Sequence, residues 1–255
     1  MADAKRVLVT AGAAGIGRAI VEAFAVTGAK VHVCDLDAAA LAVLRAQLPD
    51  LSTTECDVGD RASAEAMVAA ATATLGGLDV LVNNAGISGP TASVEQMDPD
   101  TWDEVMRVNL GGTFHVTRHA IPHLKRSKDG TILVMSSLAG RFGYPNRSPY
   151  ATSKWGLIGF TKTLARELGE FGIRVNAILP GAVEGPRIER VLEGRAAASG
   201  RSVAEERAAA LANQSVKRFV APAEIGALAV FLASAAARSI SGQIVPIDGD
   251  SQSAA

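Results

Sequence analysis

Cysteine, aromatic residues and excess charge of either sign are all scarce in this sequence. Its two cysteines, Cys34 and Cys56, are too few among 255 residues to form the disulfide framework of a small secreted domain. The 25 basic and 26 acidic residues give a net charge of −1, which excludes the basic footprint of a nucleic-acid-binding or membrane-surface protein. No apolar run has the length of a membrane span, and the run at 7–9 is too short for a signal peptide. We therefore expect a cytoplasmic protein whose partner is a small molecule or a second copy of the chain.

Hydrophobic residues, by contrast, are abundant. They make up 48% of the chain, and charged residues make up 20%, a balance that excludes a disordered chain. A chain of this length buries about 70% of its extended surface on folding, so its core needs no disulfide or metal. No linker or internal repeat interrupts the sequence, and we expect a single domain over residues 1–255.

Short apolar runs alternate with longer segments of helical periodicity. The predicted strands cover 7–9, 31–34, 80–82, 132–135, 175–179 and 243–247. The predicted helices cover 16–26, 38–48, 62–75, 101–124, 150–168 and 222–234. Continuous apolar runs are typical of strands that are buried on both faces. The alternation therefore predicts an α/β fold in which helices cover both faces of a parallel sheet.

The segment 184–216 breaks this alternation. It is rich in alanine, arginine and glutamate, and Gly185, Gly194 and Gly200 interrupt it. We interpret it as one or two mobile helices that form a substrate lid, because long loops without a function are uncommon. A plain surface excursion is the alternative.

A glycine-rich turn, Thr10-Ala11-Gly12-Ala13-Ala14-Gly15-Ile16-Gly17, connects the first predicted strand to the first predicted helix. Small residues let the backbone approach a pyrophosphate, and the helix N-terminus offers unpaired N–H groups to it. The position between strand and helix favours a dinucleotide site over a bare turn. The turn residues predicted to bind the cofactor are Gly12, Gly15, Ile16 and Gly17.

Asp35 ends the second predicted strand. A carboxylate there can accept hydrogen bonds from both hydroxyls of the adenosine ribose, and it repels a 2′-phosphate. No basic residue adjoins it, since Leu36 follows and Ala14 occupies the turn. This pattern favours NAD over NADP, and the alternative is an aspartate that only caps the next turn.

Several further motifs, in order along nearly the whole chain, resemble those of the short-chain dehydrogenase/reductase family in its single-domain form. They are Asp57-Val58, Asn83-Asn84-Ala85-Gly86, Asn109, Ser137, the YxxxK pair Tyr150 and Lys154, and Pro180-Gly181. With the alternation above, the resemblance implies a doubly wound Rossmann fold with a seven-stranded parallel sheet in the order 3-2-1-4-5-6-7. It also implies a homotetramer with the helices 101–124 and 150–168 at one interface. The cofactor-binding residues that it implies are Asp57, Val58, Asn84, Ala85, Gly86, Tyr150, Lys154, Pro180, Gly181 and Val183.

Two positions depart from the family pattern. Ala11 stands where the family's turn has its first glycine, and Gly12 follows it. Gly185 stands where the family has a threonine that holds the nicotinamide amide. The carboxamide of the cofactor therefore needs a backbone group or another partner.

Tyr150 and Lys154 are four residues apart, so one helix face presents both. A free phenol has a pKa near 10, and a nearby ammonium group together with the positive nicotinamide ring lowers it. Tyr150 is then the general acid/base, Ser137 holds the substrate oxygen, and Lys154 also hydrogen-bonds the nicotinamide ribose. By resemblance, Asn109 positions a water in a proton relay to Lys154.

Arg187 follows Pro180-Gly181 and could clamp a substrate carboxylate. A surface ion pair with Glu184 or Glu189 is the alternative. Tyr144 and Asn146, just before Tyr150, are further candidates for the substrate pocket.

His115, His119 and His123 recur every four residues on one predicted helix. No glutamate or acidic cluster accompanies them, so we expect a surface or interface face rather than a metal site, with a pH-sensitive interface as the alternative. Cys34 and Cys56 end neighbouring strands, and we expect them to be core residues.

The function that these motifs favour is NAD-dependent oxidation of a secondary alcohol, or the reverse reduction. One alternative is an NADPH-dependent 3-oxoacyl thioester reductase, against which Asp35 argues. The other is a non-catalytic NAD(H)-sensing protein, against which the complete set of Asn109, Ser137, Tyr150 and Lys154 argues.

Overall fold

A single parallel sheet organises the chain. The computed structural model describes residues 4–254, and its seven strands lie in the order β3-β2-β1-β4-β5-β6-β7. The strands are β1 Arg6–Thr10, β2 Lys30–Asp35, β3 Ser52–Glu55, β4 Val80–Asn83, β5 Thr131–Met135, β6 Arg174–Pro180 and β7 Ile244–Ile247. The predicted doubly wound order is confirmed.

Helices connect these strands. They are α1 Gly15–Val26, α2 Ala38–Gln47, α3 Arg61–Leu75, α4 Pro99–Met106, α5 Thr113–Leu124, α6 Ser148–Leu168, α7 Pro186–Ser199, α8 Val203–Ala212 and α9 Pro222–Leu232. Aspartates cap three of them, as Asp37, Asp60 and Asp98 accept hydrogen bonds from backbone N–H groups of the first turns of α2, α3 and α4. Within residues 4–254, no helix is both long and apolar enough to cross a bilayer.

The core consists of two apolar layers, one on each face of the sheet. Successive strand residues point to opposite faces, so Val7 and Val9 pack on one side and Leu8 on the other. The first layer is closed by residues of α1, α2 and α9, and the second by residues of α3, α5 and α6. Burial on both faces explains why the central strands are apolar without alternation.

The strand β3 is missing from the strands that were predicted from apolar runs. Its sequence, Ser-Thr-Thr-Glu, is polar and partly exposed. It pairs with β2 alone and forms one edge of the sheet, where solvent replaces a second neighbouring strand.

The helix predicted over 101–124 is present and runs without a break from Pro99 to Leu124. A wider, π-helical segment, Arg107–Gly112, divides it into α4 and α5, which the sequence analysis did not predict. This segment carries Asn109 with its side chain fully buried, and wide turns of this kind are frequent at functional sites.

Because the strands are parallel, all of their carboxyl ends meet at one edge of the sheet. Thr10, Asp35, Asn83, Met135 and Pro180 end β1, β2, β4, β5 and β6 there. The chain runs to opposite sides of β1 and β4 at this edge, which leaves a crevice between them.

Candidate active site

A cleft of about 780 Å³ opens at the carboxyl edge of the sheet. The turn after β1 and the ends of β2, β4, β5 and β6 form one end and the floor of the cleft, and the start of α6 and the helix α7 form the other end. Of the predicted cofactor residues, the cleft is lined by Gly15, Ile16, Gly17, Asp35, Asn84, Gly86, Tyr150, Lys154, Pro180, Gly181 and Val183.

The glycine-rich turn has a backbone shape that side chains would block. A Cβ on Gly17 would lie 2.0 Å from the Ala11 carbonyl oxygen, so the start of α1 and the turn are in direct backbone contact. Gly15 has a positive φ of 53° and no atom near its Cβ position, which leaves the cleft side of the helix N-terminus open. Open backbone at a helix N-terminus fits a pyrophosphate.

Ala11 occupies the left-handed region, with a φ of 49°. Glycine adopts this conformation without strain, whereas a Cβ makes it unfavourable by about 1 kcal/mol or more. The turn therefore keeps the backbone shape that a glycine would favour although it lacks a glycine there. Gly12 contributes packing instead, because its Cβ position lies 2.6 Å from Val33 Cγ1 in the core.

Asn84 holds the glycine-rich turn in place. Its Nδ2 donates to the carbonyl oxygens of Thr10 and Ala11, at 3.1 and 3.0 Å. The backbone N–H groups of Asn84 and Ala85 both donate to the Thr10 hydroxyl, each at 3.0 Å. The side-chain amide of Asn84 thus serves the loop that faces the cofactor.

Asp35 points across the turn from the end of β2. Its carboxylate accepts hydrogen bonds from the backbone N–H groups of Ala13, at 3.0 Å, and Asp37, at 3.2 Å. These bonds fix the carboxylate at the lining of the cleft, beside the exposed side chain of Leu36. The cofactor end thus fits a dinucleotide, with a fixed negative charge at the ribose position.

Four of the predicted cofactor residues lie outside the lining of the cleft: Gly12, Asp57, Val58 and Ala85. Asp57 accepts from the Gly59 backbone N–H at 2.8 Å and forms an ion pair with Arg107 at 2.9 Å. Arg107 precedes Asn109 in the π-helical segment, so the ion pair ties the end of β3 to that segment.

Tyr150, Lys154 and Ser137 meet at the floor of the cleft. α6 presents Tyr150 and Lys154 one turn apart, with the Lys154 Nζ 5.6 Å from the centre of the Tyr150 ring. Ser137 follows β5 in extended backbone, where its hydroxyl accepts from the Ala139 N–H at 3.2 Å, and it lies close enough to Tyr150 to lower the pKa of the phenol. A substrate oxygen placed between Ser137 and Tyr150 would face one hydroxyl from each.

Opposing effects act on the Tyr150 phenol. Burial raises its pKa, but the charges of Arg187 and Lys154, the nearby Ser137 hydroxyl and the charge of Arg147 together outweigh burial and lower the pKa below its ordinary value. The phenolate form is therefore easier to reach than in water.

Lys154 is almost completely buried, with 3% of its surface exposed. Burial lowers its pKa to about 8, while Tyr150 opposes the shift and Arg187 adds to it. Its Nζ donates to the Met135 carbonyl oxygen at 2.8 Å, which orients the ammonium group at the end of β5.

Asn109 lies behind the floor rather than on it. Its Oδ1 accepts from the Ile87 N–H at 2.8 Å, and its Nδ2 donates to the Ile87 carbonyl oxygen and to the Ser153 hydroxyl. A Cβ on Gly86 would lie 3.0 Å from the Asn109 Oδ1 and 3.4 Å from the Lys154 Nζ. Only the glycine backbone separates Asn109 from Lys154 here.

The predicted substrate residues Tyr144, Asn146 and Arg187 do not all line the cleft. Tyr144 and Arg187 line the cleft, and the Tyr144 ring meets the Tyr150 ring edge-on at 6.4 Å. Asn146 is exposed, has a positive φ of 60°, and lines a smaller cavity that shares Tyr144, Arg147 and Arg195 with the cleft.

Three arginines of the cleft, Arg147, Arg190 and Arg195, were missed by the sequence analysis. Arg190 and Arg195 lie on α7 with Arg187, and the spacing of Arg187 and Arg195 by two helical turns was the available signal. Arg147 precedes α6 in non-helical backbone, so no helical spacing marks it.

Gly185 ends the turn before α7 with a φ of 130°, a conformation that disfavours any side chain. Gly185 thus replaces the family's threonine at a position where the backbone conformation favours glycine. The residue leaves the nicotinamide end of the cleft open.

The histidine triplet shows no arrangement for a metal. In the part of the chain from 4 to 254, no group of three or more potential ligands is placed to hold a metal ion. The His115 ring packs edge-on against Phe114, and His123 hydrogen-bonds Arg126. Cys34 and Cys56 are buried in the second core layer as free thiols, as expected.

Comparison with known proteins identifies the family. A family model described as enoyl-(acyl carrier protein) reductase matches residues 11–249. D-β-hydroxybutyrate dehydrogenase of Cupriavidus necator is 39% identical over 254 residues, which cover 98% of each chain. The chain belongs to the short-chain dehydrogenase/reductase family.

Solved structures of family members superpose closely on this short-chain dehydrogenase/reductase. An actinorhodin polyketide ketoreductase variant with NADPH gives a TM-score of 0.92 at 32% identity and covers 97% of each chain. The NAD⁺-bound xylitol dehydrogenase gives 0.92 at 29% identity, with coverage of 96% of this chain and 98% of that one. The protein is therefore an oxidoreductase that acts between hydroxyl and carbonyl groups, and its relatives bind nicotinamide cofactors of both kinds.

Proposed function

We propose that the protein is an NAD-dependent dehydrogenase of secondary alcohols, or a ketone reductase in the reverse direction. The observation that carries this proposal is the half-buried Tyr150, which lines the cleft together with Ser137 and has Lys154 beside its ring. These three groups can bind an oxygen atom and exchange a proton with it.

Oxidation begins with the hydroxyl of the substrate hydrogen-bonded to Ser137 and Tyr150. As the phenolate takes the hydroxyl proton, the carbinol C–H bond breaks and the carbon–oxygen double bond forms. When bound, the nicotinamide ring supplies the acceptor for the hydride that leaves the carbon. Proton transfer by a positioned group contributes about 10²- to 10⁴-fold in rate.

Lys154 acts on this step through charge and position. Its ammonium group stabilises the Tyr150 phenolate, and from the end of β5 it would hydrogen-bond the nicotinamide ribose. We assign Asn109 to positioning a water that exchanges a proton with Lys154. The proximity of Asn109 and Lys154 across Gly86 supports that assignment.

Asp35 supports the preference for NAD. Two backbone N–H groups fix its carboxylate, and a 2′-phosphate there would meet a negative charge without a basic residue next to it. The residues that would hold the rest of the dinucleotide are Gly15, Ile16 and Gly17 at the pyrophosphate.

A titration of the protein with NADH and with NADPH, read by nucleotide fluorescence, tests this proposal together with a turnover assay on secondary alcohols. We expect NADH to bind at least about tenfold more tightly. Tighter binding of NADPH would favour the 3-oxoacyl thioester reductase. Tight binding of NADH without turnover of any substrate would favour the sensor.

We propose further that the segment 184–216 is a lid. α7 lines the cleft with Arg187, Val191 and Arg195, and α8 packs on α7. An Arg207–Glu189 ion pair joins the two helices. Limited proteolysis should cut this segment first, and bound NADH with a substrate analogue should protect it.

The proposed homotetramer has support from α5 and α6. Phe114 is 46% exposed on α5, and Trp155 is 50% exposed on α6. Large exposed apolar side chains mark interaction surfaces when they cluster. Light scattering should give four times the chain mass, and a charged residue at position 155 (Trp155→Glu) should reduce that mass.

A further inference from the structure

Arginine side chains give the substrate end of the cleft an excess of positive charge. Arg147, Arg187, Arg190 and Arg195 all line this end. Nine ion pairs occur within residues 4–254, and none of them involves these four arginines. The acidic residue that lines this end, Glu184, is exposed, and its charge acts on Arg218. The charge of Glu206 interacts with that of Arg195, but Glu206 already forms an ion pair with Arg201 at 2.8 Å.

Arg147 is the unusual member of this group because it is buried, with only 5% of its surface exposed. One terminal nitrogen donates to the Thr91 hydroxyl at 3.2 Å, and the other donates to the Ser88 carbonyl oxygen at 3.0 Å. Its Nε is buried and has no hydrogen-bond partner among the described residues. A buried guanidinium without a counter-ion is unfavourable, and an anionic ligand that pairs with it offsets that cost.

Two further guanidinium groups surround the same space. The guanidinium carbons of Arg147 and Arg187 each lie 5.7 Å from the centre of the Tyr150 ring. Arg195 donates to the Tyr144 hydroxyl at 2.9 Å and lies 5.3 Å from the centre of that ring. Arg187 has one long hydrogen bond, at 3.5 Å to the Gly86 carbonyl oxygen, so most of its donors remain available.

We propose that Arg147, with Arg187 and Arg195, binds the carboxylate of a hydroxy-acid or keto-acid substrate. The proposal rests on the proposed function, since it names the substrate class of the same site. A planar carboxylate suits the guanidinium group, whose N–H groups can donate to both carboxylate oxygens in one plane. A phosphate presents the same anionic oxygens, and the experiment below distinguishes the two.

The position of the arginines also limits the length of the substrate. Both Arg147 and Arg187 approach the ring of the residue that exchanges the proton, so a carboxylate paired with them lies only a few bonds from the reacting carbon. Short 2- and 3-hydroxy acids meet this condition. Holding the substrate at both its carboxylate and its hydroxyl fixes which hydrogen faces the cofactor.

The test compares acids with their neutral esters in wild-type protein and in Arg147→Gln. The compounds are 2-hydroxybutyrate, 3-hydroxybutyrate and malate, each with its methyl ester, and glycerol 1-phosphate for the phosphate arm. In wild-type protein we expect at least one acid to exceed its ester in kcat/KM. In Arg147→Gln we expect the value for that acid to fall about 100-fold further than the value for the ester, whose smaller loss reflects the charge that Arg147 contributes at Tyr150.

Two variants serve as controls. Arg147→Lys keeps the charge but not the fork, and it should recover part of the loss. Arg141→Gln removes one positive charge from the same β5–α6 connection, outside the lining of the cleft, and it should leave both substrates unaffected. Thermal unfolding of each variant establishes that it is folded.

Several results would overturn the proposal. Equal losses for acid and ester in Arg147→Gln would mean that Arg147 only holds the loop at Ser88 and Thr91. A wild-type preference for esters would show that no anion is recognised, and a preference for glycerol 1-phosphate would assign the arginines to a phosphate.

A binding measurement separates this proposal from the proposed function. Butyrate, malonate and phosphate are titrated calorimetrically into the cofactor-free protein and into its complex with NADH. Saturable carboxylate binding that Arg147→Gln removes would support the arginine site even where no compound is turned over or NADH fails to bind. If neither the cofactor-free protein nor its NADH complex binds a carboxylate saturably, and no acid of the panel is turned over, the proposal of an arginine site is overturned.

Discussion

The two ends of the cleft recognise their ligands in different ways. At the cofactor end, backbone groups and strand ends form the surface, with a fixed carboxylate at Asp35. At the substrate end, long arginine side chains from the residue before α6 and from α7 form the surface. The shape of the backbone suits a dinucleotide that a whole family shares. Side chains from the proposed lid and from the β5–α6 connection suit one particular substrate.

The charges of the two ends are opposite. Asp35 and Asp37 line the cofactor end, and Arg147, Arg187 and Arg195 line the substrate end. Tyr150 lies between the ends and responds to the positive one, because the charge of Arg187 lowers its pKa against the effect of burial. In the proposed mechanism the substrate end therefore contributes to the acid/base chemistry as well as to binding.

The largest effect should come from the group between the two ends. Tyr150→Phe removes the proton-exchanging hydroxyl, and we expect kcat to fall about 10³-fold while NADH binding is retained. Tyr144→Phe, at the only other tyrosine of the chain, is the matched comparison and should lose far less. Comparable losses in the two variants, measured as initial rates, would remove Tyr150 from its proposed role.

The cofactor end is tested by its charge. Asp35→Asn should reduce the preference for NADH over NADPH by about tenfold, because the repulsion of the 2′-phosphate is lost. Asp37→Asn removes a neighbouring charge while it preserves the cap of α2, so its preference should stay that of the wild type. An unchanged preference in Asp35→Asn, in fluorescence titrations, would contradict the assignment of NAD.

The substrate end is tested by pH. Oxidation needs the Tyr150 phenolate, so kcat/KM should rise with pH and reach a plateau above the pKa of Tyr150. Arg187→Gln removes a charge that lowers this pKa, and the rise should move to higher pH. Arg141→Gln should leave the profile in place. A profile that does not move in Arg187→Gln would separate the arginines from the chemistry.

The smallest expected effect concerns the glycine-rich turn. Ala11→Gly relieves a left-handed backbone, whereas Ala92→Gly, in a connection outside the left-handed region, relieves no strain and adds entropy to the unfolded chain. The free energy of unfolding, from urea denaturation, should be about 1 kcal/mol higher in Ala11→Gly than in Ala92→Gly. Equal values would mean that the alanine is not strained in this turn.

The difference between the two ends also explains what could be predicted from the sequence. The cofactor end could be predicted because the first strand, the glycine-rich turn and Asp35 lie close together along the chain. The edge strand β3 was missed because its exposed residues carry no apolar pattern. Asn109 was found by its motif, but the π-helical segment that buries it leaves no periodicity to detect.

The substrate end depends on contacts between distant segments. Arg147 becomes a buried cation only because the loop at Ser88 and Thr91 folds over it. Arg195 approaches Tyr144 from a helix fifty-one residues later in the chain. These contacts join segments that are far apart along the chain, so local spacing does not predict them. The sequence alone could therefore suggest Arg187 but not the arginines that lie beside it.

The most direct test of the account is the appearance of NADH when the protein is given NAD⁺ and a short hydroxy acid, with NADP⁺ as the parallel assay and Tyr150→Phe as the blank. We expect absorbance of NADH to grow with NAD⁺, to grow far more slowly with NADP⁺, and to be lost in Tyr150→Phe. Turnover only with NADP⁺, or turnover that persists in Tyr150→Phe, would contradict it.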